Sequence, residues 1–139
     1  PFSIETDIQP GLELDSYPGP LGQVLANLIN NALIHAFEDR EQGTIVIAAR
    51  RAEDGRIRLT VSDDGQGMDA SVLEQVFEPF FTTRKGRGGT GLGLHIAFNA
   101  VANVLGGSLT ASSAKGRGSC FELHIPAIAP SMSETGATA

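Results

Sequence analysis

The sequence lacks the features that would place it among secreted or membrane proteins. It holds one cysteine, Cys120, so no disulfide can form within the chain, which is typical of a reducing compartment. Its apolar runs are interrupted well short of the ~20 residues that a bilayer span requires. The first residues, Pro1–Glu5, do not show the basic-then-apolar pattern of a signal peptide. We therefore expect a cytoplasmic location and no membrane contact by this domain.

Basic residues are also scarce. Ten Lys and Arg stand against sixteen Asp and Glu, which gives a formal net charge of −6. This balance disfavours the broad phosphate-tracking surface of nucleic-acid binders, so we expect no nucleic-acid partner and only local anion binding. Glycine, by contrast, is abundant, and many of the 17 glycines cluster at 65–67, 86–93, 106–107 and 116–118. Clustered glycine indicates special backbone geometry, often beside a ligand.

The predicted secondary structure indicates one α+β domain. With 139 residues, of which 41% are apolar, the chain can bury a single core. Periodicity and turn signals predict strands at Phe2–Ile8, Thr44–Arg50, Arg56–Ser62, Ser108–Ser113 and Ser119–Ile125, and Leu12–Tyr17 is a candidate for a short strand that pairs with the first. They predict helices at Pro20–Phe37, from Asp69 or Ser71 through Phe77, and at Gly91–Leu105, the last largely buried.

This order of elements favours a two-layer sandwich, in which one mixed, mostly antiparallel sheet is covered on one face by helices. A parallel doubly wound fold would need regular alternation of strands and helices, which is absent. We place the domain at residues 1–126 and expect the small, polar stretch 127–139 to be a disordered tail.

The first predicted helix carries a row of polar residues along one edge. Asn27 and Asn31 are four residues apart, and His35 continues the row. Amide oxygens are hard, neutral ligands suited to Mg²⁺, which takes its other oxygens from water and substrate phosphates. On spacing alone, the simpler interpretation that the asparagines face solvent is favoured.

A carboxylate follows the second hairpin strand. In the alternation of that strand, Asp63 falls on the face that points inward. A carboxylate that points toward a core must find hydrogen-bond donors. The amino group of adenine is one such donor, and Gly65 and Gly67 would let a base approach the backbone closely. A plain Asp-Asp-Gly turn is about equally consistent with this segment.

A glycine-rich, basic segment precedes the last predicted helix. Because Gly89–Gly93 opens a helix, its free amides suit an anion, and Arg84, Lys85 and Arg87 lie just upstream. We predict a phosphate cradle and a mobile lid at Thr82–Thr90. A solvated loop is the commoner fate of such basic runs, and no βαβ unit precedes the glycines to support a dinucleotide fingerprint.

Five segments together resemble the motifs of the histidine-kinase and GHKL ATPase superfamily. In chain order they resemble its N box, first glycine box, F box, second glycine box and closing Gly-x-Gly-Thr-x-Phe pattern, at Asn27–Ala32, Val61–Gly67, Phe77–Phe81, Gly89–Leu94 and Gly116–Phe121. In the last of these, Ser119 replaces the threonine. Each segment alone is a weak to moderate signal, whereas all of them in this order are highly specific.

The resemblance implies the Bergerat fold and a site for ATP with Mg²⁺. In that site Asp63 would recognise the adenine amino group, Asn31 would bind Mg²⁺, and Asn27, Asn31 and Arg84 would take part in catalysis. The nucleotide-binding residues that the resemblance implies are Asn27, Asn31, His35, Asp63, Gly65, Gly67, Thr83, Arg84, Lys85, Arg87, Gly89, Thr90, Gly91, Leu92 and Gly93.

Asn27 separates two kinds of activity within the superfamily. The ATP-hydrolysing branches, which include the heat-shock chaperone, gyrase and mismatch-repair proteins, carry a glutamate where Asn27 stands. A glutamate can deprotonate water, whereas an amide cannot act as a base. The resemblance therefore implies a protein-histidine kinase of a two-component system, which transfers the γ-phosphoryl group to an imidazole. An anti-sigma-factor-type serine kinase and a nucleotide-sensing module without transfer remain as alternatives.

None of the three histidines has the acidic neighbour that is typical of a phosphoacceptor box. We therefore expect the acceptor on a separate dimerisation and phosphoacceptor domain of a parent kinase, with a response regulator as indirect partner and this domain alone monomeric. The parent protein could be membrane-anchored. His95 is expected to be a packed core or helix-edge residue. His124 is expected on a strand face, too far from Cys120 to share a zinc ion.

Overall fold

The structure, a computed structural model, describes residues 2–14, 16–37, 42–79 and 93–128. Its strands are β1 (Phe2–Ile8), β2 (Gly43–Arg51), β3 (Ile57–Asp63), β4 (Ser108–Ser113) and β5 (Ser119–Ile125). Its helices are α1 (Pro18–Asn31), continued by a π-helical turn (Ala32–Ala36), α2 (Ala70–Gln75) and α3 (Gly93–Asn103). The strands form one sheet in the order β1-β2-β3-β5-β4.

The sheet is mixed, as the sequence predicts. β1 pairs with β2 in parallel, while the β2–β3, β3–β5 and β4–β5 pairs are antiparallel. The two predicted hairpins, β2–β3 and β4–β5, are both present, and they meet where β3 lies beside β5. In that central pair Asp63 is opposite Ser119, so the carboxylate lies at the junction of the two hairpins. The α+β sandwich is confirmed.

One face of the sheet packs against the helices and forms the core. Every second residue of β5 is buried on this face, where Phe121, Leu123 and Ile125 are at most 1% exposed. From the helices, α1 buries Val24 and Leu28, and α3 buries Ala97 and Val101. The other sheet face carries exposed ion pairs, such as Arg50 with Asp7 at 2.7 Å. Exposed pairs of this kind contribute about 0–1 kcal/mol, so the apolar layer holds the sandwich together.

The strand predicted at Leu12–Tyr17 is wrong. None of the described residues in that range belongs to a strand, and β1 pairs instead with β2. After β1 the chain turns back, with Leu12 N donating to Gln9 O at 3.3 Å. Leu12 and Leu14 pack against the core from an irregular segment, so their alternating pattern reflects contact with the core.

The helices differ from their predicted form in the start and type of α1 and in the burial of α3, whereas the cap of α2 is one of the two predicted residues. α1 begins at Pro18, where a proline suits the first helical turn, and its final segment is π-helical. Asp69, rather than Ser71, caps α2, because its Oδ1 accepts a hydrogen bond from Val72 N at 3.0 Å. This backbone hydrogen bond also lowers the pKa of Asp69. α3 is less buried than expected, since Ile96 and Phe98 are 51% and 39% exposed.

The burial pattern along α3 and the segment after it predicts unequal effects of two truncations. Leu105 is fully buried, so Leu105→Ala should lower the free energy of unfolding by about 2–5 kcal/mol through lost contacts and a cavity. Ile96→Ala removes a side chain of similar size that is largely exposed, and should change the free energy of unfolding by less than about 0.5 kcal/mol. Urea denaturation of both variants, followed by circular dichroism, measures the difference. Equal losses would contradict the described packing.

Candidate nucleotide-binding site

The amide-bearing edge of α1 faces the beginning of α3. Asn27 is half-buried, and its Nδ2 donates to the carbonyl oxygen of Gly93 at 3.2 Å. Its Oδ1 accepts a hydrogen bond from Gln23 Nε2 at 3.0 Å. Asn31, one turn further along, is also half-buried. The interpretation that both asparagines simply face solvent therefore does not hold for Asn27, which links two helices.

The helix changes its hydrogen bonding directly after this edge. Phe37 N donates to Ala32 O at 3.1 Å, five residues back, within the π-helical turn. Such turns occur inside α-helices frequently at functional sites. His35 lies on this turn, and its side chain is outside the described part of the chain. Its contact with a nucleotide stays a prediction.

Asp63 both makes a turn and presents a carboxylate. It is half-buried at the end of β3, and its Oδ1 accepts hydrogen bonds from Gly65 N at 2.9 Å and from Ser119 N at 3.2 Å. The bond to Gly65 is the local turn expected from the simpler interpretation. The bond to Ser119 spans 56 residues and fixes the carboxylate between two strands. These two hydrogen bonds fix the orientation of the Asp63 carboxyl group.

The neighbouring carboxylate has a different role. Asp64 is exposed, and its Oδ1 accepts a hydrogen bond from Thr44 N at 2.9 Å. Asp64 N in turn donates to Thr44 O at 3.3 Å, which closes the end of the β2–β3 pair. The two neighbouring carboxylates therefore have different partners. Asp64 bonds to Thr44 at the end of the β2–β3 hairpin, whereas Asp63 bonds to Ser119 at the β3–β5 junction. This difference makes Asp64 a natural control for Asp63.

The first glycine segment packs against the turn between β4 and β5. Gly116 N donates to Gln66 O at 2.6 Å, and Met68 N donates to Ser113 Oγ at 2.8 Å. The Ser113 hydroxyl donates in turn to Gly118 O at 2.8 Å. The sequence does not reveal this role of Ser113, because nothing in the local spacing of a strand serine indicates a partner 45 residues away.

Close backbone contacts explain two of the glycines in this region. Gly67 has a φ of +73°, and an added Cβ would overlap the carbonyl oxygen of Ala114. Gly118 also has a φ of +73°, and an added Cβ would overlap the carbonyl oxygen of Asp63. Both glycines thus bring two loops together. Gly65 is buried beside them, and its predicted contact with a base stays a prediction.

The F-box aromatic Phe77 packs at the edge of the core. Its ring lies 5.0 Å from that of Phe98, in a tilted arrangement, and 6.1 Å from that of Phe121, edge to face. Residues 80–92 lie outside the described residues. That range contains the predicted lid and the predicted site residues Thr83, Arg84, Lys85, Arg87, Gly89, Thr90, Gly91 and Leu92. Gly93 is described and begins α3.

The described ranges contain no group of three or more His, Cys, Asp or Glu side chains that could hold a metal ion. The site instead offers the neutral amide oxygens of Asn27 and Asn31. Such a set fits Mg²⁺ that arrives with phosphates and keeps part of its water, and does not fit a metal held by protein ligands alone. Cys120 lies half-buried on β5, where burial is the main cause that raises the pKa of its thiol.

Similar proteins identify the family of this chain. Residues 17–129 match the family model described as "Histidine kinase-, DNA gyrase B-, and HSP90-like ATPase". The sensor histidine kinase ZraS of Klebsiella oxytoca is 38% identical over 136 residues, which cover 97% of this chain and 28% of ZraS. The chain thus spans about a quarter of that relative's length.

Solved structures show the same fold. The catalytic domain of the histidine kinase ThkA superposes with a TM-score of 0.73 at 32% identity, covering 91% of this chain and 80% of that domain. Full-length ShkA in complex with AMPPNP gives a TM-score of 0.73 at 26% identity, covering 94% of this chain and 26% of ShkA.

The chain therefore belongs to the family of histidine kinase-, DNA gyrase B- and HSP90-like ATPases. Within that family it corresponds to the catalytic domain of sensor histidine kinases. In the ranges that the structure describes, no helix is long and apolar enough to cross a bilayer.

The contact between Gly118 and Asp63 predicts a difference between two glycine substitutions. Gly116 and Gly118 have positive φ angles of +83° and +73°, but only Gly118 is crowded, since nothing lies within 4 Å of an added Cβ at Gly116. Gly116→Ala should cost about 1–2 kcal/mol of stability through backbone strain alone. Gly118→Ala should cost clearly more, because the Asp63 backbone must also move. Chemical denaturation compares the two, and equal costs would contradict the described contact.

Proposed function

We propose that this domain binds Mg-ATP and transfers the γ-phosphoryl group to a histidine on a separate dimerisation and phosphoacceptor domain of its parent kinase. The observation that carries the proposal is the position of Asn27. Its amide lies between α1 and the beginning of α3, at the place where the ATP-hydrolysing branches of the family carry a glutamate. An amide can position a phosphate or a metal-bound water without deprotonating water.

The proposed base-recognition residue is Asp63. Its carboxylate is held by two backbone amides, so it offers an acceptor in a fixed direction beside the buried Gly65 and Gly67. The exocyclic amino group of adenine is a donor of the matching kind. A carboxylate that is already oriented loses little conformational freedom when a base binds. The site should therefore bind adenine more tightly than bases that lack this amino group.

The proposed phosphate end of the site lies along α1 and before α3. Asn31, together with Asn27, would hold Mg²⁺, which when bound neutralises charge on the phosphates. Because Asn27 Oδ1 accepts from Gln23, a ligand at that oxygen would have to replace this hydrogen bond. We further propose contacts from His35, Gly93 and the undescribed segment that contains Arg84, Lys85 and Thr90.

The proposed transfer needs an acceptor from outside this domain. An imidazole nitrogen attacks the γ-phosphorus, a P–N bond forms as the bridging P–O bond breaks, and ADP leaves. Within the described side chains, His95 uses both ring nitrogens in hydrogen bonds. His124 lies on β5 with its Nε2 3.4 Å from Asp54 Oδ2, on the sheet face away from the helices. Neither is placed as an attacking group at the proposed site.

The extent and setting of the domain remain proposals. We propose that the domain spans residues 1–126 and that a tail follows at 127–139. Ala127, at the start of this tail, packs against the core, and residues 129–139 lie outside the described part of the chain. We propose a parent sensor kinase that signals through a response regulator, a cytoplasmic position for this domain, and a monomeric state when the domain is isolated.

The proposed role of Asn27 predicts a loss of transfer with little loss of binding. Asn27→Ala should slow phosphoryl transfer by about 10²-fold, because misplaced phosphates lose the alignment that transfer requires. The ATP dissociation constant should change much less, since the adenine contacts remain. The measurement uses radiolabelled Mg-ATP, this chain and the purified acceptor domain of the parent kinase, with binding measured by calorimetry.

Asn30→Ala is the matched control, because Asn30 lies on the same helix but is exposed, and it should leave transfer unchanged. The labelled product should be acid-labile, as phosphohistidine is. An acid-stable product would favour a serine kinase, and binding without transfer to any acceptor would favour a nucleotide sensor. Fast phosphate release without an acceptor would contradict the kinase proposal.

A further inference from the structure

His95, which lies in the first turn of α3, joins that helix to the F box. It is half-buried, and its Nδ1 lies 3.2 Å from the carbonyl oxygen of Phe77. Its Nε2 lies 3.1 Å from Asn99 Nδ2, one helical turn further along α3. From the sequence, His95 is expected to be a packed core or helix-edge residue, and its half-buried position agrees with the second of these. Both ring nitrogens, however, have specific polar partners.

These partners select one protonation form of the ring. The Phe77 carbonyl oxygen can only accept a hydrogen bond, so Nδ1 must carry a proton. The Asn99 Nδ2 group can only donate, so Nε2 must present its lone pair. Only the neutral imidazole protonated at Nδ1 satisfies both contacts. The Phe77 carbonyl oxygen and Asn99 together therefore select the Nδ1-protonated tautomer.

The same turn of α3 also contacts α1. Asn27 Nδ2 donates to Gly93 O, two residues before His95. The beginning of α3 is thus hydrogen-bonded to α1 through Asn27 and, through His95, to Phe77, which lies just after α2. Phe77 is itself anchored by its ring contacts with Phe98 and Phe121, so the carbonyl that His95 reaches belongs to a well-packed residue.

We propose that His95, held as the Nδ1-protonated tautomer by the Phe77 carbonyl oxygen and Asn99, is a positioning residue that fixes the beginning of α3 and through it the amide of Asn27. This inference rests on the proposed function, because Asn27 is assigned there to the phosphate end of the site. His95 touches neither nucleotide nor acceptor in this proposal. It acts by keeping Gly93 O where Asn27 Nδ2 can donate to it.

A purely structural role would have a different signature. If His95 only fills space between α3 and the F box, an apolar side chain of similar bulk would serve equally well in the folded enzyme. If the Nδ1–H donor is what matters, a side chain that restores a donor at that distance from the backbone should restore function. Asparagine does so, because its Nδ2 lies about where the histidine Nδ1 lies, whereas leucine offers no donor.

The test compares His95→Leu and His95→Asn in phosphoryl transfer to the acceptor domain. His95→Leu should lower kcat about tenfold and change KM for Mg-ATP less than about twofold, as expected for lost alignment with retained binding. His95→Asn should recover most of kcat. Asn103→Ala, at an exposed position one turn beyond Asn99, is the control for changes on α3 and should have no effect. Thermal unfolding of each variant records its stability separately.

The wild-type tautomer gives a readout that needs no catalysis. Nitrogen-detected NMR of the ring should show His95 protonated at Nδ1, and Asn99→Ala should weaken that preference, because one of the two partners that select this tautomer is lost. A wild-type ring protonated at Nε2 would overturn the proposal, as would equal kcat for His95→Leu and wild type, or equal loss in His95→Leu and His95→Asn. If wild type itself transfers no phosphoryl group, the proposed function fails first. Active wild type with an unaffected His95→Leu variant overturns this inference alone.

Discussion

The hydrogen bonds to Asp63 Oδ1 are the interactions on which the proposed site depends. One comes from Gly65 N within the turn that follows β3, and the other from Ser119 N at the start of β5. A single carboxylate oxygen therefore joins the two hairpins at their shared end. A half-buried carboxylate without such donors would be costly, so the fold and the carboxylate stabilise one another. The close approach of Gly118 to the Asp63 backbone is possible only because residue 118 lacks a side chain.

A second set of contacts organises the helical side of the site. Gln23, Asn27 and Gly93 connect α1 to α3, and His95 connects α3 to Phe77. Side-chain amides and an imidazole make these links, so their geometry depends on single hydrogen bonds of about 1 kcal/mol each. The core beneath them is apolar and close-packed. The proposed site thus combines the β3–β5 junction, assigned to the base, with a hydrogen-bonded helix junction, assigned to the phosphates.

Local pattern was enough to predict much of this fold. Both hairpins follow from alternating residues around tight turns, and Gly55 and Gly116 indeed have positive φ angles. Local pattern could not predict which strands pair across long distances. The parallel β1–β2 pair and the β3–β5 pair depend on the packing of the whole sheet, so Leu12–Tyr17 was wrongly assigned as a partner of β1. The exposure of Ile96 was missed for the same reason, since an apolar helix sequence does not show what covers it.

Only part of the proposed site could be predicted, because short motifs locate single residues but do not reveal their partners in the fold. Asn27 and Asp63 were identified because short motifs place them, and the structure gives each defined partners. Ser113, Gln23 and His95 were not, because their partners are set by the fold and no spacing within the sequence reports them. The basic and glycine-rich residues at 82–92 stay predictions, and the structure adds no evidence on them.

The most direct test of the account is a comparison of ATP with inosine triphosphate, which has a carbonyl oxygen in place of the adenine amino group. Calorimetry should show that the wild-type chain prefers ATP by at least about tenfold, because the adenine amino group donates to Asp63 whereas the carbonyl oxygen at the same position of inosine can only accept. Asp63→Asn should lose or reverse this preference, since the amide keeps its oxygen on Gly65 and Ser119 and presents a donor instead. Asp64→Asn should keep the wild-type preference. An unchanged preference in Asp63→Asn, or none in wild type, would contradict the assignment of Asp63 as the base-recognition residue.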